Sequence, residues 1–403
     1  MLDKKVAIVV FLAFAAAYTI SALVRAIIAT LSPVLSQEFH LQSRDLGLLA
    51  GGYFLGFAAT QLPLGTWLDR HGPKRVILCF LAVAVLGCLA FSVATSFAGL
   101  LLGRVLIGMG VSACLMAPLS GFRRWLDAPS LLRANSWMLM SGSLGMLAST
   151  LPVQWLLPLV GWRALFWVLA GLVLLAMAVI ALVVPVWTKD AAAKTDTPDG
   201  YAAVWKNRYF QKMSPLAFFN YGGLVAVQTL WAGPWMVKVA GYTPLEAATG
   251  LFYLNAVMLL TFWGWGLVNP RLARAGWHTD RLITWGVPVS LVALAANIAG
   301  GAGTGWVGWA VFCVASTVIS LSQPAVGMAF KPALAGRALS AFNLVIFAGV
   351  FVVQWGIGLL VDGFAALGLA RVASFQAAFS VYLCCGVAAY AYFLHAKVDN
   401  STS

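Results

Sequence analysis

The chain is built on apolar runs too long for any soluble core. Residues 163–187 carry one charge, at their first position, and residues 338–361 carry none. A bilayer core about 30 Å thick takes roughly 20 helical residues to cross. Runs of this kind therefore read as membrane spans. They are continuous rather than alternating, which argues against a β-barrel. Helices also satisfy every backbone N–H and C=O within the segment, as a lipid-exposed backbone requires. The chain is 62% hydrophobic and 9% charged, against about 25% charged in a globular domain, and the soluble classes drop out.

Twelve such segments can be marked, at 6–31, 46–68, 76–95, 98–119, 135–157, 163–187, 213–238, 246–268, 281–300, 304–328, 338–361 and 374–396. Most connectors are short. The exception, 188–212, is polar and charged, contains Pro198 and Gly200, and lies at mid-chain, so it reads as a linker. The expected architecture is all-α: a six-helix bundle at 1–187, a cytoplasmic linker at 188–212 and a second six-helix bundle at 213–403. The segment after Lys4 and Lys5 is too long for a signal h-region and lacks a clear small-residue cleavage site, so it is read as a retained first span.

Charge sets the expected orientation. With a cytoplasmic N-terminus, nineteen of the 25 Lys and Arg residues fall in inside connectors and four (Arg44, Arg163, Lys238, Arg371) in outside ones. Both termini are then cytoplasmic, which needs an even number of spans. The net charge of +13 lies in scattered connectors rather than on one stripe, which excludes nucleic acid as a partner. The six cysteines fall inside apolar runs with neither disulfide nor metal-ligand spacing, and nothing calls for a cofactor.

Between the second and third segments stands Gly65-Thr-Trp-Leu-Asp69-Arg70-His-Gly72-Pro-Lys74-Arg75. Gly266-Leu-Val-Asn-Pro-Arg271-Leu-Ala-Arg274-Ala-Gly276 echoes it between the eighth and ninth. The echo is either a chance likeness of basic loops or the trace of an internal repeat, as in many transporters. The first stretch resembles the loop 2–3 signature of the major facilitator superfamily, although Trp67-Leu68 stands where that pattern has Leu and Pro73 replaces a basic residue. Gly103-Arg104 with Gly108 and Gly110 is similar to the family's span 4 motif. Arg123-Arg124-Trp125 with Arg133-Ala-Asn135 resembles its loop 4–5 pattern, and Gly161-Trp-Arg163 its entry to span 6. The resemblance implies two pseudo-symmetric bundles rocking about a central cavity, a multi-pass transporter of the bacterial inner membrane, and a monomer. It also implies a cytoplasmic gate in which Asp69 meets the start of span 11, near Ser340, and nearby arginines. The gate residues expected are Asp69, Arg70, Arg75, Arg123, Arg124 and Arg133. The alternative is that these charges only set topology.

Arg25 in span 1 and Arg104 in span 4 are the ionisable residues expected inside the membrane, where a charge costs several kcal/mol. No Asp or Glu lies near the middle of any span. Two guanidinium groups without a carboxylate make a cavity that favours anions. Arg25 either binds the anion or snorkels to the outer interface; Arg104 either binds or serves packing. Tyr18 to Asp69 looks like the anion-carrying branches of the superfamily, nearest the organophosphate:phosphate antiporters and anion:cation symporters. Those antiporters place one phosphate-binding Arg where Arg25 stands and a second in span 7. Span 7 here has none, so a carboxylate or larger amphiphilic anion fits better than a doubly charged phosphate.

Tyr18, Tyr221, Gln228, Trp231, Tyr253, Asn255 and Asn343 complete the expected binding set, since buried amides need partners and aromatic rings can stack on a substrate. For many of the aromatics the alternative is packing or interface anchoring. Pro63 and Pro324 mark expected kinks. The four His residues lie in connectors or at a terminus, so the coupling ion, a proton or a counter-anion, stays open. The drug-antiporter Gly-Pro signature is not evident in Ser141-Gly-Ser-Leu-Gly145, which leaves export of amphiphilic drugs or metabolites as the alternative function. No intramembrane His, Asp or Glu cluster suits an enzyme.

Overall fold

A computed structural model of the chain describes residues 3–186 and 200–396, and among these the secondary structure is helical throughout. Packing divides the chain into two units, 1–31 with 52–194 and 32–51 with 195–403.

The first unit holds α1 (Lys4–Phe39) as far as residue 31, the second half of α2 (Ser43–Ala59), α3 (Gln61–Ser92), α4 (Phe97–Val111), α5 (Ala113–Trp125), α6 (Ala128–Ala148) and α7 (Leu151–Val183). Helix α3 packs on α4, α5 and α7, and α6 on α5 and α7. Two of these helices are bent pairs. Gly72 in α3 has φ 75° and Gly161 in α7 has φ 72°, a left-handed backbone that a side chain would strain. Gly108 of α4 lies against the Tyr53 carbonyl, where a Cβ has no room. The two backbones therefore meet directly and bring α2 and α4 within reach of α1.

The second unit holds residues 32–51, then α8 (Tyr201–Lys206), α9 (Arg208–Leu216), α10 (Gly222–Ala226), α11 (Ala232–Lys238), α12 (Pro244–Arg274), α13 (Thr279–Gly300), α14 (Trp306–Ser316), α15 (Ser322–Met328), α16 (Pro332–Ala366) and α17 (Arg371–His395). Its core is aromatic: Trp235 meets Trp309 at 5.2 Å and Phe379 at 5.1 Å, both edge to face, a preferred arrangement of ring quadrupoles. The first half of α2 docks here on α16. The Ser43 and Arg44 amides donate to the Asp362 carboxylate at 3.2 and 2.8 Å, answering the exposed N–H groups and dipole of a helix start.

Among the described residues, nine helices are long and apolar enough to cross a membrane. The three expected segments not among these nine are helical but interrupted. The segment 46–68 breaks at Thr60, whose hydroxyl bonds back to the Phe57 carbonyl at 2.9 Å; Pro63 has no N–H for the Ala59 carbonyl. The segment 135–157 breaks at Thr150, where Pro152 likewise has none for Ala148. The segment 213–238 contains two π turns, Ala217–Tyr221 and Val227–Trp231. Ahead of Pro324 the chain tightens into a 3-10 turn, Thr317–Leu321.

Of the expected linker, residues 188–199 lie outside the described set, and α8 and α9 occupy the rest. Asn207 accepts from the Phe210 amide at 3.0 Å and caps α9. Lys212 and Tyr209 then reach Asp280 at the start of α13, at 3.0 and 2.7 Å. Burial, with Asp280 alongside, raises the Tyr209 phenol above its ordinary pKa. The cap and this three-residue cluster order the stretch from Asn207 to Lys212 despite its polar composition.

Candidate functional site

Tyr18, Ser21 and Arg25 stand on α1 at spacings of three, four and seven, which puts them on one helical face. Arg104 of α4 is fully buried beside that face. Its Nη1 donates to the Val24 carbonyl at 2.7 Å and its Nη2 to the Arg25 carbonyl at 3.5 Å. Its guanidinium lies 5.1 Å from the centre of the Tyr53 ring. The cation thus ties α4 to α1 and α2 by hydrogen bonds and by the ring quadrupole. Its Nε is buried without a hydrogen-bond partner.

Arg25 differs. Its guanidinium has the phenols of Tyr18 and Tyr53 as its electrostatic neighbours and lies 6.0 Å from the centre of the Phe57 ring. No carboxylate among the described residues pairs with it. Its Nε and the Tyr53 hydroxyl are both buried without a hydrogen-bond partner. A cation and a phenol, adjacent in an apolar helical setting and each with a free donor, can donate to the oxygens of an anion in charge-assisted bonds. Tyr53 was not among the expected site residues. Its only sequence signal is a tyrosine after Gly51-Gly52, and α2 brings it to Arg25 only because Gly108 lets α4 approach so closely.

In the second unit the amides pair with one another. Gln228 donates to Asn255 at 2.9 Å, and Asn255 to the Leu251 carbonyl at 2.9 Å. Gln323 donates to Asn343 at 2.6 Å. Gln354 donates to Thr229 at 2.9 Å, and its carbonyl accepts the Trp231 indole at 3.0 Å. Trp231 is completely enclosed, so its ring packs the core. Tyr253 is 47% exposed and lies against Trp306 with ring centres 5.2 Å apart. Tyr221 and Gln228 fall within the two π turns, and Asn220 in the first has its side-chain oxygen buried without a hydrogen-bond partner.

Residues 14–354 match the family described as Major Facilitator Superfamily. The chain belongs to that superfamily. Among superfamily relatives, it is 28% identical over 187 residues to the multidrug resistance protein MdtL of Escherichia coli O45:K1, covering 44% of the chain and 46% of MdtL. It is 25% identical over 150 residues to the galacturonate transporter of Dickeya chrysanthemi, covering 37% and 44%. The chain therefore spans less than half the length of either curated relative. Its fold matches that of a bacterial homologue of the human lysosomal transporter Spinster, solved inward-facing and unoccupied, with a TM-score of 0.79 at 19% identity over 98% of each chain. The chain is thus an all-helical membrane protein with the Major Facilitator Superfamily fold.

Of the residues expected at a cytoplasmic gate, Arg70, Arg75, Arg123, Arg124 and Arg133 are exposed, and Arg133 donates to Ser130 at 3.2 Å. The side chain of Asp69 lies outside the described set.

Proposed function

We propose that the chain is a secondary transporter that moves a small organic anion, a carboxylate or an amphiphilic anion, by alternating access. It crosses the bacterial inner membrane twelve times with both termini cytoplasmic. Two six-helix bundles, 1–187 and 213–403, work as a monomer around the linker 188–212. The segments 46–68, 135–157 and 213–238 supply the three crossings beyond the nine long apolar ones, and nineteen basic residues against four in the connectors support the orientation. A proton or a counter-anion provides the driving force, and Asp69, Arg70, Arg75, Arg123, Arg124 and Arg133 form the cytoplasmic gate.

The observation that carries this reading is Arg25, which faces the phenols of Tyr18 and Tyr53 rather than a carboxylate and whose Nε has no hydrogen-bond partner. Arg104 ties α4 to α1 through the Val24 and Arg25 carbonyls and contributes to stability. Tyr221, Gln228, Asn255 and Asn343 supply the neutral hydrogen bonds that sort one anion from another. Galacturonate, for which the Dickeya chrysanthemi relative is named, carries the single carboxylate such a site suits. The test is a thermal-shift screen of the purified protein against organic acids, phosphates and amphiphiles, since a ligand of the folded state raises its apparent stability. Uptake of the best ligand into proteoliposomes follows, with wild type and Arg25→Ala. Full uptake by Arg25→Ala would remove the anion site.

The likeness to MdtL favours a second reading, export of amphiphilic drugs or metabolites. Ligands without an acidic group stabilising both wild type and Arg25→Ala equally would select it.

A further inference from the structure

Away from the Arg25 face, the first unit contains a cleft of about 520 Å³, within the usual range of small-molecule pockets. It opens where α3 bends at Gly72. Trp67 and His71 line it from one arm of the bend, Arg75 and Phe80 from the other, and Met109 comes from α4. We propose that this cleft seats one anionic glycerophospholipid. The assignment rests on the membrane orientation given above, which puts this bend at the cytoplasmic surface.

Three features argue for a lipid. The cleft is graded: Phe80, Met109 and the neighbouring valines make an apolar wall, while His71 and Arg75 stand together at the bend. An acyl chain suits the wall and a phosphodiester suits the guanidinium. The charge is also one-sided. Arg70, His71, Lys74 and Arg75 cluster around Gly72, and a basic cluster at the cytoplasmic end of a span attracts anionic lipid. Finally, the cleft lies at the edge of a span. Residues 70–92 form a helix apolar enough to cross a membrane, only half buried within the protein, so much of its surface meets lipid. Trp67 is 40% exposed and meets Phe80 edge to face at 5.6 Å, an amphipathic ring at the depth of the headgroups.

The experiment places the purified full-length protein in phosphatidylcholine nanodiscs. Brominated phosphatidylglycerol or brominated phosphatidylcholine is then titrated in. The quenched signal of Trp67 is the difference between wild type and Trp67→Phe. Phosphatidylglycerol is expected to quench it at a severalfold lower mole fraction than phosphatidylcholine. His71→Gln combined with Arg75→Gln should abolish that preference, and Arg75→Lys should retain part of it. Val83→Phe, which fills the apolar wall, should reduce quenching by both lipids; circular dichroism checks that each variant is folded. Equal quenching by the two lipids in wild type would overturn the proposal, as would a preference that survives the double substitution. A brominated free fatty acid that quenches Trp67 where phosphatidylglycerol does not would assign the cleft to a soluble amphiphile instead. None of these readouts depends on Arg25, so the lipid seat and the anion site can fail separately.

Discussion

The two units bury polarity in different forms. The first carries cations, Arg25 and Arg104, with phenols and helix carbonyls around them. The second carries amides that answer one another, Gln228 with Asn255 and Gln323 with Asn343, and Gln354, which donates to the Thr229 hydroxyl. An amide that finds another amide is satisfied within the protein and fixes how helices pack. A cation bonded only to carbonyls and phenols keeps its charge, and a charge inside a membrane protein is costly enough to mark function. The same contrast repeats within the first unit. The Nε of each arginine is buried without a hydrogen-bond partner, but Arg104 gives its Nη donors to two carbonyls of α1, whereas Arg25 has the phenols of Tyr18 and Tyr53 as neighbours. A backbone carbonyl is fixed by its helix, and a phenol can turn to admit a ligand.

The largest expected effect tests that contrast. Arg25→Ala should weaken anion binding by about 3 kcal/mol, roughly 150-fold in Kd, with little change in melting temperature. Arg104→Ala should do the reverse. Stability should fall by about 2 kcal/mol as two hydrogen bonds and a buried side chain are lost, while folded protein keeps its Kd within about threefold by calorimetry. An exchange of these two outcomes would reverse the roles given to the arginines.

Tyr53→Phe removes only a hydroxyl and should cost about 1 kcal/mol of anion affinity, near fivefold. An unchanged Kd would confine the site to α1. In the second unit, a double-mutant cycle on Gln228→Ala and Asn255→Ala should give a coupling of about 1 kcal/mol in stability. Additive losses would mean that the amides act independently.

The smallest effect is at the surface. Asp127, exposed ahead of α6, is held below the ordinary carboxyl pKa chiefly by the Ser130 hydroxyl. A depressed folded-state pKa contributes stability above the unfolded value, about 4, and that contribution is lost as pH falls through the folded one. Asp127→Ala should therefore melt slightly lower than wild type at neutral pH, with the gap closing in acid. A gap that persists in acid would assign the effect to packing.

Much of this was legible in the residues. Length and apolarity identify the helices, and the loop around Gly72 points to the family. Arg25 and Arg104 stand out because charge is rare in such runs. Their division of labour was hidden, because α1 carbonyls and the Tyr53 ring come to Arg104 from elements 50 to 80 residues away. Tyr53 itself looked like one more aromatic in an apolar run. Trp231 could equally be core or site until its indole was found on the Gln354 carbonyl. Hydropathy also passes over breaks such as Thr60 and Thr150, which depend on local hydrogen bonds and on a proline two or three residues later.

The π turns at Ala217–Tyr221 and Val227–Trp231 have a consequence for the gene. A π turn holds about one residue more than an α turn closing the same length of helix. Removing one codon inside either turn lets the backbone close as an ordinary α turn, with the flanking helix kept in register. Removing one codon from a regular helix such as α17 rotates everything beyond it by about 100°. In a library of single-codon deletions through this half of the chain, survivors should therefore gather at those two short windows.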